Sequence, residues 1–381
     1  MVQWGFLIAL MLNLFRRRRR VLERLTVFGP YRGPTGYDRH VRAFVRELER
    51  QGVGVCLVEL AGWSPARLPE TMLDPRFAEP TGRGAAPVLL QFCMPHQLLP
   101  WRGGRTANFT MFEANRVPAA WIQQQRPVDL VIVPTESSRR AWVASGMPED
   151  RLRLCPLGVD AAAFGGQREA RETPLRRYAT RFLNVAAYGP RKNLDGLLRV
   201  WKRATRSGDS AALLLKPGCY TAESQAEFGR LLQGLDRAAP VFVLDELLPD
   251  EAMPALYAAA THYISLSHGE GWDQPMMEAA ASGLKLIAPR HSAYTAYLDD
   301  SIASLIPSVE CPVAWSGDAA TAALFENASW WEPDEEAAVE AVRAAIDGRD
   351  PHGAPARERV LSEFTWERAT RRLLEILAEL G

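Results

Sequence analysis

Glu270-Gly-Trp-Asp-Gln-Pro-Met-Met-Glu278 is the stretch on which the reading of this chain turns. Pro275 suits the first position of a helix, where its missing N–H costs nothing, and Met276 to Ser282 can continue as a short helix that Gly283 closes. Free amides at such a helix mouth attract anions. Glu278 falls about one turn in, and a carboxylate there competes with a bound phosphate unless it is aimed at hydroxyls beside it. The spacing therefore predicts a grip on a sugar nucleotide, with amides for the phosphates and Glu278 for hydroxyls.

Outward from this stretch, short apolar runs alternate with amphipathic segments, the rhythm of strands and crossover helices in a parallel sheet. Leu25-Thr-Val-Phe28 predicts a first strand, and a glycine loop through Gly33 and Gly36 leads into a helix whose Val41, Phe44, Val45 and Leu48 recur at helical spacing before Gly52. Val53 to Val58, Val88 to Phe92 and Leu130 to Val133 predict further strands, with a short helix over Ser137 to Ser145. Gly158, Gly165 and Gly166 interrupt the pattern and predict a linker at Leu157 to Gly166. A second α/β rhythm follows, with strands at Phe182 to Ala186, Ala212 to Leu215, Val241 to Leu244, Tyr263 to Ser265 and Leu284 to Ala288. Trp366 to Leu380 is an amphipathic helix whose periodicity does not say what it packs on.

Two glutamates separated by seven residues, with Gly-Trp after the first and Pro before the second, then Ala279-Ala-Ala-Ser-Gly283, resemble the donor-site signature of the family 4 retaining glycosyltransferases. Pro190-Arg-Lys-Asn193, Pro156-Leu-Gly-Val-Asp160 and Gly33-Pro-Thr-Gly36 are similar to that family's other landmarks and stand in the right order. The resemblance implies an α/β chain of GT-B architecture, two Rossmann-like domains facing across a cleft. The expected division is an acceptor domain over 21–160, joined by the C-terminal helix 366–381, and a nucleotide-sugar donor domain over 161–365. Ligands in open α/β sheets sit at the carboxyl ends of strands. The activity implied is transfer of a sugar from a nucleoside-diphosphate sugar to a hydroxyl acceptor, which is a glycan, a lipid-linked sugar or a small molecule. A nucleotide-sugar epimerase or hydrolase of the same fold, and a non-catalytic sugar-nucleotide-binding subunit, are the rival readings.

Glycosyl transfer needs a hold on the nucleoside, neutralisation of the departing diphosphate and shielding of an oxocarbenium-like centre. The resemblance gives Glu278 the ribose hydroxyls and Glu270 the donor sugar, with the leaving phosphate oxygen, and no enzyme carboxylate, taking the acceptor's proton. The ordinary alternatives are a helix-dipole acid for Glu278 and a solvated loop acid for Glu270. Gly269, Gly271 and the backbone of Trp272, Asp273 and Gln274 are expected to bring N–H groups to the hexose and β-phosphate, although Trp272 also suits a core. Asp273 and Gln274 depart from the family's commoner residues, and their polar ends are candidates to read a hydroxyl. Lys192 and Arg191 are the diphosphate cations, with Ala186-Ala-Tyr188 standing where the family often has a further arginine; the alternative is an ordinary helix start. Gly33 and Gly36 are expected to close on the β-phosphate and acceptor. His40, His96 and Glu113 are weaker acceptor-side candidates, Phe112 replacing the family's frequent histidine.

Composition narrows the partners. The chain has 381 residues, enough for two domains, and its 45 basic and 45 acidic side chains cancel, which disfavours a nucleic-acid partner. Four lysines leave arginine to supply nearly all the positive charge, so Lys192 is not surface filler. Five widely spaced cysteines with no Cys-x-x-Cys pair argue against a disulfide framework and a zinc site, and the chain reads as cytoplasmic. Asn108-Phe-Thr110 and Asn327-Ala-Ser329 then read as chance matches to a glycosylation pattern. No loop Asp-x-Asp or metal-spaced cluster appears, so metal-independent transfer without a cofactor is the expectation. Trp4 to Phe15 is a mostly apolar run of 12 residues followed by Arg16 to Arg20, shorter than the about 20 residues that span a bilayer. Its charges follow the apolar run, unlike a secretory signal, which leaves a peripheral contact of 4–20 with the inner face of a membrane, a helix packed on the body, or an over-extended start.

Overall fold

The computed structural model describes residues 22–82, 86–218, 221–350 and 355–380. The apolar and arginine-rich segment 1–20 and Cys219 lie outside the described residues.

Two six-stranded parallel sheets form the frame. The first contains β1 (Arg24–Gly29), β2 (Gly54–Glu59), β3 (Val88–Phe92), β4 (Arg105–Phe109), β5 (Leu130–Val133) and β6 (Leu152–Leu154), in the order β2-β1-β3-β4-β5-β6. The second contains β7 (Thr180–Ala187), β8 (Ala211–Gly218), β9 (Val241–Val243), β10 (His262–Ile264), β11 (Lys285–Pro289) and β12 (Ser304–Ile306), in the order β12-β11-β10-β7-β8-β9. A small antiparallel pair, β13 (Ser308–Pro312) and β14 (Ser329–Pro333), follows. Helices cover both faces of a parallel sheet, so its inner strands bury every side chain, as β3 and β5 do.

The expected strands form with ends shifted by up to three residues. Five strands carried no readable signal. In β4 the reason is Asn108, a polar residue fully buried mid-strand, whose amide donates to the Gln91 carbonyl at 2.9 Å and the Cys93 carbonyl at 3.0 Å while Gln125 donates to its oxygen. That side chain is closed to glycosylation. The edge strands β6 and β12 have three residues each, too few for a period-2 pattern.

Each sheet reverses its strand order at one place, between β1 and β3 in the first and between β7 and β10 in the second. Such a switch point leaves a crevice at the carboxyl ends, because the following crossovers run to opposite faces. The loops after β1 and β3 therefore meet those after β7 and β10.

The chain crosses between domains twice, and the crossings lie side by side. Val159, inside the expected linker, forms a parallel bridge with Thr365. Beyond that point the Trp366–Leu377 helix returns to the first domain, setting the Trp366 ring edge-on 5.2 Å from Phe44 of the Gly36–Arg50 helix and burying Leu373, Ile376 and Leu377. Among the described residues no helix is long and apolar enough to cross a membrane, and Cys56, Cys93, Cys155 and Cys311 are free.

Candidate active site

The two cations and the acid reach the site on neighbouring units of the second sheet. β7 runs into the turn Pro190–Lys192, and Asn193 then caps the Leu194–Ala204 helix by accepting from the Gly196 amide at 3.0 Å. β10 runs into the loop that carries Glu270 and enters the Gln274–Ala281 helix. Lys192 Nζ lies 2.6 Å from Glu270 Oε1, and one Arg191 nitrogen lies 3.0 Å from Oε2 and 2.6 Å from the Gly269 carbonyl. Glu113 of the first domain approaches Arg191 at 3.6 Å. Burial works to raise the Glu270 carboxyl, but Lys192 and Arg191 outweigh it and hold the group below the ordinary carboxylate range. It is a buried anion carried by two cations.

A second layer fixes the Glu270 backbone. Its N–H donates to Ser292 Oγ at 3.1 Å, and Ser292 adopts a left-handed conformation with φ 43°. His291 bridges Ser292 Oγ through Nδ1 and the Ser267 carbonyl through Nε2, each at 2.9 Å. A carbonyl only accepts, so the proton sits on Nε2. Burial lowers the His291 pKa to about 3, which keeps the ring neutral.

Asp273 stands at φ 61° ahead of the helix, buried, with the Tyr294 hydroxyl donating to Oδ2 at 2.7 Å. Burial first and the Glu270 charge second raise its pKa to about 6, while Lys192, Tyr294 and the Met276 amide pull the other way; the amide closes no capping hydrogen bond. Oδ1 is also buried and accepts no hydrogen bond from a described residue. Gln274 donates to the Gly158 carbonyl at 2.8 Å, at the domain crossing. Trp272 is a core residue: 3% exposed, its ring meets Tyr297 at 5.3 Å and Phe364 at 5.9 Å.

Glu278 is buried and already partnered, and it lines a second cavity together with Arg39, Asp250 and Gln274. Arg39, from the first turn of the Gly36–Arg50 helix across the cleft, donates to Oε1 at 2.6 Å, and the Tyr257 hydroxyl donates to Oε2 at 2.9 Å. Burial pushes the Glu278 carboxyl up whereas the same contact favours charged Arg39. A guanidinium does not deprotonate in a protein, so at 2.6 Å the pair is ionised at neutral pH. Arg39 also meets Asp250 at 3.1 Å, and Arg42 holds the other Asp250 oxygen at 3.0 Å.

A cavity of ≈ 440 Å³ lies between the domains, lined by Lys192, Arg191, Glu270, Gly271, Trp272, Asp273 and Gln274 from the second and by Gly36, His40 and Glu113 from the first. Gly269 and Gly271 serve the contact between domains: a Cβ on Gly269 would lie 2.4 Å from the Glu113 carbonyl oxygen, and one on Gly271 would lie 2.9 Å from Met111 Cβ. The Gly33 amide donates to Asp38 at 2.7 Å, and Gly36 opens the helix. His40 is buried among Tyr37, Phe44, Phe92 and Phe109, and burial lowers its pKa to about 3. The exposed His96 ring, 6.0 Å from Trp121, is not among the lining residues. Arg39, Asp250 and Lys216 also line this cavity and carried no motif in the sequence. Arg39 alone left a trace, as a cation one turn beyond the glycine loop.

Two doubly wound sheets whose switch points face one cleft make the GT-B architecture. No family model matches the chain, and no curated protein matches it. Solved structures do. A glycosyltransferase from Rickettsia africae is similar with TM-score 0.62 and 12% identity, over 94% of this chain and 98% of that one. The Anabaena protein HepE, solved with UDP and glucose, is similar with TM-score 0.60 and 11% identity, over 94% of this chain and 100% of that one. Sucrose-phosphate synthase from Thermosynechococcus elongatus is similar with TM-score 0.59 and 16% identity, over 94% and 99%. At these identities the likeness is one of fold.

Proposed function

We propose that this chain is a metal-independent, retaining glycosyltransferase of the family 4 type, moving a sugar from a nucleoside-diphosphate sugar to a hydroxyl acceptor. The observation that carries the reading is the Glu270 carboxylate held by Lys192 and Arg191 at the switch point of the second sheet. An arriving diphosphate offers these cations a better-charged partner, and Glu270 is then left beside the sugar whose bond breaks. Charge on the leaving phosphate is met by Lys192 and Arg191, and that phosphate removes the acceptor's proton on the same face. HepE has been solved with UDP and UDP-glucose, which makes uridine diphosphate sugars the first donors to test. A cytoplasmic position, with residues 4–20 touching the inner face of a membrane, belongs to the same proposal.

Thermal shift against uridine, guanosine and adenosine diphosphate sugars tests it. A bound donor at a hundredfold excess over Kd adds about 2.7 kcal/mol and raises Tm by about 5–10 °C. The sugar should then move to an acceptor, with the anomeric configuration kept. Absence of any shift across the panel, or donor turnover equally fast without an acceptor, would end this reading.

A further inference from the structure

Arg39 holds the place that the proposed function needs for a ribose. Its guanidinium occupies Glu278 Oε1 at 2.6 Å and approaches Oε2 at 3.5 Å, and Tyr257 takes the rest of that oxygen. Glu278 is 2% exposed, so no hydroxyl reaches it while Arg39 stays. The network is nonetheless built so that Arg39 can leave. Asp250 keeps Arg42 at 3.0 Å, and Glu278 keeps Tyr257. Vicinal ribose hydroxyls, two donors on neighbouring carbons, replace what the guanidinium gave. Arg39 itself is 18% exposed and lines the same cavity as Lys192 and Lys216, where a diphosphate would be the richest anion in reach.

We propose that Arg39 is an exchangeable partner of Glu278: it caps the carboxylate in the empty cleft, yields it to the nucleoside, and turns to the diphosphate from the side of the first domain. This rests on the donor-site reading above and adds to it a positioning residue from the other domain. Binding then costs the release of a buried ion pair, and part of that cost returns through the phosphate contact. Only a ligand with both a ribose and a diphosphate recovers it fully. A nucleoside alone meets the cap without the reward, which separates the two ends of the donor in a binding experiment.

The experiment is calorimetry on full-length wild type, Arg39→Ala and Arg39→Lys, each with a nucleoside and with its diphosphate, starting from uridine and UDP. Removing the cap should tighten nucleoside binding by about tenfold, because a larger fraction of the protein presents a free Glu278. The advantage of the diphosphate over the nucleoside should shrink by a similar factor in Arg39→Ala and stay nearer wild type in Arg39→Lys. Should the alanine variant not fold, the lysine variant still shows a smaller gain in nucleoside affinity. A wild type that binds UDP, beside variants that bind uridine no better than it does, would overturn the Arg39 proposal and leave the donor site standing. A wild type that binds no nucleoside diphosphate would bring down the functional reading and this one together.

Discussion

Lys192 Nζ and Glu270 Oε1 stand 2.6 Å apart, although they are 78 positions apart in sequence and each lies on a different βα unit. The pair is the meeting point of two crossovers that leave β7 and β10 on either side of the switch point. Lys192→Ala takes one of its two cations from buried Glu270 and, on the proposed function, removes a charge that meets the leaving phosphate. Turnover should fall by about 10²-fold with a smaller change in donor KM. Steady-state kinetics against the matched donor checks this, and wild-type turnover would remove Lys192 from the site.

Glu278→Ala removes the carboxylate that Arg39 and Tyr257 share. On the proposed function nucleoside-diphosphate affinity should drop at least about tenfold, since two charge-assisted hydrogen bonds to ribose would be lost. Stability should fall by about 2 kcal/mol, less than for a fully buried pair because Arg39 can reach solvent. Denaturant titration beside calorimetry separates the two effects, and a lower midpoint with unchanged affinity would make Glu278 a latch between domains only.

Asp273 gives a pH signature. Its pKa is raised to about 6, so between the ordinary carboxyl value and pH 6 the folded chain holds a proton that the unfolded chain has released. Its contribution to stability therefore decreases as pH rises through that window and stays low above it. Asn keeps the neutral form, accepts from Tyr294 and tolerates φ 61°. Asp273→Asn should be about 3 kcal/mol more stable than wild type at pH 7 and nearly equal to it at pH 4. Melting curves at both values check this, and an offset that does not change with pH would contradict it.

Gly269→Ala tests the closed cleft. The added Cβ would fall 2.4 Å from the Glu113 carbonyl oxygen, a backbone atom that cannot swing aside. The domains must part, at a cost of about 1–3 kcal/mol, so activity should fall steeply while circular dichroism stays unchanged. Small-angle scattering should show a larger radius of gyration; an unaltered radius with full activity would show that closure tolerates the methyl.

The legible part of this molecule was local. Strand-helix rhythm marked nine of the twelve strands in the two sheets, because buried parallel strands are written as apolar runs. The stretch from Glu270 to Pro275 and the Arg191-Lys192 step line the cleft, each a short pattern tied to one loop or helix mouth, whereas Glu278 lines the neighbouring cavity. The β4 strand was hidden, since Asn108 and Thr106 break its pattern: Gln91, Cys93 and Gln125 bond the Asn108 side chain, and Gln91 bonds that of Thr106.

Sequence by itself marked nine strands of the two sheets and the residue types carried by the loops after them, which depend on neighbours within a few turns. Tertiary structure alone decided what those groups touch. Arg39 reaches Glu278 across 239 positions of chain, His291 reaches back to Ser267, and Trp366 settles on Phe44. None of these contacts leaves a periodic trace, because each arises from two surfaces brought together by packing.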